Sequence, residues 1–197
     1  MYPQPQPQSA TPGPQPALRR AHRPVPPRVR GLTLVELAVV LALVSLLAGL
    51  ALPHWGESVA RRHLEGAAAQ LATDIQFARS AAAARNAPVR LAVPAGGSCY
   101  VVHSGPAGSC RCGSDTGQPA VCQAGAQALR AAWLPAGVRL SVNSASMLFD
   151  PSPGTVTPAG TLRVQGQGKQ AVHHVVNVMG RVRSCSPAPG LAGYPSC

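Results

Sequence analysis

The sequence predicts an α+β protein: a long N-terminal helix, its first half membrane-spanning, packed on a small antiparallel β-sheet head with disulfides. Three observations predict it. Residues 32–52 form an unbroken apolar run, LTLVELAVVLALVSLLAGLAL, with Glu36 as its one charge. Beyond it, apolar residues recur at helical spacing. The rest of the chain breaks into short apolar segments punctuated by Pro, Gly and Ser, and all six cysteines lie there.

Residues 1–31 read as a leader. Residues 1–30 hold nine of the 21 prolines and five arginines, Arg19, Arg20, Arg23, Arg28 and Arg30, and no acid. A stretch so poor in apolar groups cannot offset its ordering entropy, so disorder is expected. The net charge is +11, and without these arginines residues 32–197 keep 12 basic and six acidic groups, or +6. Lys169 is the only lysine. Such a balance suits anionic partners without naming one.

Residues 32–53 read as a transmembrane and assembly helix. Twenty-one helical residues rise roughly 30 Å, about the thickness of the bilayer hydrocarbon. The preceding arginines keep the N-terminal side cytoplasmic and place the head outside. A secretory signal peptide has a shorter apolar core followed by a small-residue cleavage site. A plain anchor explains everything except Glu36, since a carboxylate at such depth costs on the order of 2–3 kcal/mol. Its presence asks for a partner.

Residues 54–86 continue the helix past Pro53. Leu64, Leu71, Ile75, Ala78 and Ala82 form one apolar face, with Arg61, Arg62, Glu65, Asp74 and Arg79 off it. The helix should reach about Ala84 and stop at Asn86, with Pro88 just beyond. Residues 87–197 read as strands, at Val89–Val93, Tyr100–His103, Val138–Val142, Ser146–Phe149, Thr161–Val164 and Val172–Val178. Residues 104–125 read as a loop held by bridges. Trp133 and Phe149 are expected in the core, and of His173 and His174 one should be buried or paired.

An exported head makes Cys99, Cys110, Cys112, Cys122, Cys185 and Cys197 disulfide candidates, with 15 pairings open. Cys110 and Cys112 are expected to bond elsewhere than to each other. Cys185 and Cys197 are expected to close the C-terminal tail onto itself. Zinc ligation by Cys110, Cys112 and Cys122 would use a non-standard spacing, and no metal or cofactor is expected. Of the six acids, only Asp115 and Asp150 fall in the head, and no Ser-His-Asp order, phosphate loop or H-E-x-x-H occurs. No enzyme is read here.

Gly31 followed by Leu32-Thr33-Leu34-Val35-Glu36-Leu37 resembles the signal of type IV prepilins, with Leu32 in the usual Phe place and a longer leader than most. The resemblance implies cleavage after Gly31 by a prepilin peptidase and N-methylation of Leu32 as the new N-terminus. It also implies a bond between Glu36 and a free N-terminal amine during assembly with other pilin subunits. The implied localisation is the bacterial inner membrane, single-pass with a periplasmic head, then a pilus or pseudopilus.

Three further stretches resemble the GspH/FimT group of minor pilins and pseudopilins. They are Ala78-Arg79-Ser80 through Arg85–Leu91, Leu148–Thr155 with Gly160-Thr161-Leu162, and Val178-Met179-Gly180-Arg181-Val182-Arg183. One branch of that group serves type II secretion and the other type IV pili, with members that bind DNA. The resemblance implies double-stranded DNA contacts at Arg181 and Arg183, with Gly180 allowing a turn or close approach to a phosphate. Lys169, Arg163 and Arg139 are candidates to extend the patch. Against this stands the use of arginine to solvate or protect an edge strand. A membrane-anchored periplasmic binding domain that does not assemble is the alternative function.

Overall fold

The computed structural model describes residue 31, residues 33–152 and residues 154–197, with the backbone alone at 50–54. The expected leader and Leu32 lie outside the described residues. The chain divides into two compact units between Val44 and Ser45.

Helix α1 spans Leu34–Arg85. Its first turn is capped by Thr33, whose hydroxyl accepts the Glu36 amide at 3.2 Å while its carbonyl accepts the Leu37 amide. Thr33 and Glu36 thus hold the positions of a capping-box pair. Up to Val44 the large apolar side chains are at least half exposed, from Leu37 at 50 % to Leu34 at 84 %.

From Ser45 on, α1 ends as the sequence predicts. The Asn86 amide bonds the Ala83 carbonyl, the Ala87 amide bonds the Ala82 carbonyl, and Asn86 takes φ +48°. This is a Schellman closure with Asn at the left-handed position. Leu64, Leu71, Ile75, Ala78 and Ala82 are all buried, joined by Ala67, Ala68 and Ala81. Asp74 departs from the prediction: it is buried, 2 % exposed, on the face that packs on the sheets.

Among the described residues eleven strands follow: β1 (Val89–Ala92), β2 (Cys99–Ser104), β3 (Cys110–Arg111), β4 (Val121–Cys122), β5 (Ala128–Trp133), β6 (Arg139–Val142), β7 (Ser146–Phe149), β8 (Val156–Thr157), β9 (Gly160–Gln165), β10 (Ala171–Val176) and β11 (Val182–Cys185). They form two main antiparallel sheets, in the orders β5-β2-β1-β7-β8 and β11-β10-β9-β6, with β3-β4 as a small hairpin. Inward side chains of both main sheets, including Val89, Leu91, Phe149, Leu162 and Val172, make one core with the α1 stripe.

The sheets are tied at Gly97, whose carbonyl accepts the Leu140 amide at 2.8 Å. Gly97 has φ +60°, and a Cβ there would fall 1.9 Å from the Leu140 carbonyl oxygen, so only glycine fits. The disulfides are Cys99–Cys112, Cys110–Cys122 and Cys185–Cys197. Cys110 and Cys112 indeed bond elsewhere, and Cys185 and Cys197 close the tail.

Four expectations need correction. Residues 104–125 are bridged but contain the β3-β4 hairpin. Strand β5 is absent from the sequence prediction, because its burial lacks the alternation that marks a half-buried strand. The predicted segment Val172–Val178 overruns β10 by two residues, which belong to a turn held by the Asn177 side chain. Trp133 lies outside the core cluster and is only half-buried at the end of β5, where Ala132 and Leu134 pack inward instead.

Candidate functional site

Two regions carry the sequence-predicted residues. At the N-terminal one, Gly31 is exposed and Glu36 sits in the first turn of α1. Its carboxylate has no partner among the described residues, while an acid there is favoured by the helix dipole. Among the described residues no helical stretch is long and apolar enough to cross a membrane. Leu32 and the side chains of 50–52, which belong to the same apolar run, lie outside them.

The second region is the turn between β10 and β11. The Asn177 side-chain oxygen accepts the Met179 and Arg181 amides at 3.1 and 2.9 Å, and the Gly180 amide bonds the Asn177 carbonyl. This closes a tight turn that needs a positive φ at one position, and Gly180 supplies it at +71°. Gly180 is buried, and a Cβ there would meet Arg79 Cδ at 3.1 Å and Val156 Cγ2 at 3.3 Å. It therefore sets the turn, with its α-carbon directed at protein atoms. The turn delivers Arg181 immediately before β11 and Arg183 within it, both exposed. Neither guanidinium has a hydrogen bond or ion pair to another described residue.

Strand β11 is an edge strand, paired with β10 so that Arg183 lies opposite Val175 and Ser184 opposite His174. Alternation then sorts the faces. Val172, His174, Val176, Leu162, Val164 and Leu140 turn inward and are buried. Arg183, Val175, Arg163, Gln165, His173 and Arg139 turn outward. No Asp or Glu occurs on β6, β9, β10 or β11. Lys169 lies in the turn joining β9 to β10.

The histidine pair alternates as expected. His174 is 1 % exposed, its Nδ1 lies 2.8 Å from the Ser184 hydroxyl, and burial pushes its imidazole below the ordinary range against the pull of the Ala68 carbonyl. His173 is also lowered, by partial burial first and by Arg163 beside it second. Both are poorly disposed to carry charge at neutral pH.

Sequence reasoning missed one polar centre. Asp74 on α1 accepts the Tyr100 hydroxyl from β2 at 2.6 Å and Arg130 Nη1 from β5 at 2.6 Å. The Arg130 guanidinium also lies 3.7 Å above the Phe77 ring. Burial and the adjacent carboxylate push the Tyr100 phenol far up. Both Asp74 oxygens and the Tyr100 hydroxyl are thus paired, and the cluster binds helix to sheet. The available signal was an acid flanked by Leu71 and Ile75 of the apolar stripe.

Residues 67–180 match the family described as type II transport protein GspH, and residues 26–52 match the prokaryotic N-terminal methylation motif. No curated protein matches the chain. Three solved chains, of two proteins, resemble it. The type IV minor pilin FimU of Pseudomonas aeruginosa shows 19% identity and a TM-score of 0.49 over 65% of this chain and 95% of that one. The minor pseudopilin EpsH from the Type 2 Secretion System of Vibrio cholerae shows 12% identity and a TM-score of 0.47 over 64% of this chain and 98% of that one.

Proposed function

This chain belongs to the GspH family of minor pilins and pseudopilins, and we propose a course of processing, assembly and use for it. A prepilin peptidase cuts after Gly31 and methylates Leu32. The subunit waits in the bacterial inner membrane with a periplasmic head, then joins other pilin subunits through α1. The exposed head contacts double-stranded DNA through Arg181 and Arg183.

For assembly, the supporting observation is Glu36, the one acid of an apolar run whose large described apolar side chains are at least half exposed and which overlaps the methylation motif. Cleavage creates an ammonium at the helix start. A carboxylate and an ammonium each buried alone are costly, so their pairing fixes the axial register of packed helices. Mass spectrometry of the mature N-terminus tests the cut: a first residue other than Leu32 refutes it. Glu36→Ala should be processed yet fail to enter fibres.

For DNA, the supporting observation is the pair of exposed guanidiniums, without described partners, beside a strand in a sheet free of acids. Arginine forks match phosphate oxygens, and contacts confined to phosphates give weak, salt-sensitive, sequence-independent binding. A gel shift with the wild type against Arg181→Ala/Arg183→Ala tests it. Retention by the double variant at low salt refutes the assignment.

A further inference from the structure

We propose that the DNA contact is a diagonal track across the outward face of the β11-β10-β9-β6 sheet, running from Arg181 and Arg183 through Arg163 to Arg139. This rests on the DNA contact proposed for Arg181 and Arg183 and names the rest of its surface.

The registers place the residues. Arg139 pairs with Gln165, and Arg163 pairs with Ser141 on one side and His173 on the other. Arg183 pairs with Val175, which in turn faces Thr161. All these residues are on the outward face by alternation and burial. Each arginine therefore stands two residues further along the strands than the last, while the track steps from β6 to β9 to β11. With ~3.3 Å per residue and ~4.8 Å between strands, the α-carbon steps are roughly 8 Å from Arg139 to Arg163, 12 Å to Arg183 and 7 Å to Arg181. The track is thus about 27 Å long, close to the axial rise of eight base pairs.

Edge protection does not account for this pattern. Arg183 and Arg139 lie on the edge strands β11 and β6, where a charge discourages pairing with another chain. Arg163 lies on β9, paired on both sides, where no edge exists to protect. No acid on the four strands balances it, and His173 beside it is held towards its neutral form. Arg139 donates one bond to the Gly96 carbonyl at 3.3 Å and keeps its other N–H groups. The outward residues of the strands include no Phe, Tyr or Trp, so single-stranded bases have no stacking platform. The lack of a stacking platform favours a duplex backbone over single strands as the ligand, passing beside Cys197, whose sulfur lies 3.7 Å from His173 Nδ1.

The test uses the full chain in detergent and a fluorescent 30-base-pair duplex, with affinity measured over a salt series. Arg139→Gln/Arg163→Gln should bind more weakly and flatten the slope of log K against log salt by about 1.8, the value for two lost phosphate contacts. Arg163→Lys should keep most of the wild-type slope. Arg111→Gln, an exposed arginine on β3, should behave as wild type. If Arg139→Gln/Arg163→Gln keeps wild-type affinity and slope while Arg181→Ala/Arg183→Ala loses binding, the track is wrong and the original pair stands. If Arg111→Gln weakens binding as much as Arg139→Gln/Arg163→Gln does, the effect is net charge and the track is wrong. A wild type that does not bind at low salt overturns both readings. Circular dichroism melts matched to wild type verify that the glutamine variants fold.

Discussion

Replacing Asp74 by alanine is the sharpest test of how the helix is held to the sheets. Asp74 is 2 % exposed and Tyr100 1 %, so the bond between them is dry. Removing the carboxylate strands the Tyr100 hydroxyl without an acceptor, at a cost of about 1–3 kcal/mol, and forfeits a hydrogen bond to a charged group. Arg130 adds little, because its side chain is 45% exposed and can turn to water. The expected loss for Asp74→Ala is about 3 kcal/mol, or roughly 6–12 °C in Tm for a chain of this size. Tyr100→Phe alone should cost about 2 kcal/mol, since it leaves a buried carboxylate short of one donor. In the Asp74→Ala background the same change removes the stranded hydroxyl and should recover about 1 kcal/mol, giving a coupling of about 3 kcal/mol. Urea titrations of the four members of the cycle measure it. Equal costs of Tyr100→Phe in the two backgrounds would refute the reasoning, as would an Asp74→Ala loss below about 1 kcal/mol.

Three other outcomes are expected. His174 is held neutral by burial, its folded pKa lying below the unfolded value of about 6.5, so its stabilising effect is full above that pH and is lost as pH falls through the folded pKa. Unfolding free energies from urea titrations between pH 7.5 and 5 should fall by up to about 1.4 kcal/mol per pH unit from this group, and His174→Gln should flatten that dependence. Gly97→Ala should cost at least about 2 kcal/mol by melting, since a Cβ at positive φ meets the Leu140 backbone. Cys185→Ser/Cys197→Ser opens a loop with a sequence separation of 12 and should lower stability by about 3 kcal/mol, read as a shifted urea midpoint against wild type.

The legible parts of this fold were those with strong local physics. The α1 stripe was readable because its period is set by the helix itself, and its end because Asn86 and Pro88 leave few alternatives. Strand β7 was readable residue for residue, since its alternation is clean. Strand β5 was not: Ala128–Trp133 has no period-two pattern, and what fixes it is pairing with β2, a non-local contact. Asp74 was misplaced for a related reason. Its burial depends on Tyr100 and Arg130, 26 and 56 residues away, and nothing near it in sequence announces them. Of the proposed basic face, Arg181 and Arg183 rest on a short motif. That Arg163 and Arg139 share their face follows only from the registers of β6, β9, β10 and β11.

Asp74 and Glu36 make an instructive pair, because one helix carries both among apolar neighbours. Burying a carboxylate requires donors or a counter-charge. Asp74 finds a hydroxyl and a guanidinium within its own chain, so its burial is complete and its role is internal. Glu36 has the cap at Thr33 beside it and, among the described residues, no donor for its carboxylate. The apolar side chains around it stand bare, a surface larger than a soluble monomer ordinarily leaves open. A lone carboxylate on such a surface cannot be buried at tolerable cost unless something outside this part of the chain brings the positive charge. Were Glu36→Gln, which keeps hydrogen bonding but removes the charge, to assemble as well as wild type, the need would be for a hydrogen-bond acceptor. Failure of Glu36→Gln together with success of Glu36→Asp would identify the charge itself as what the proposed assembly requires.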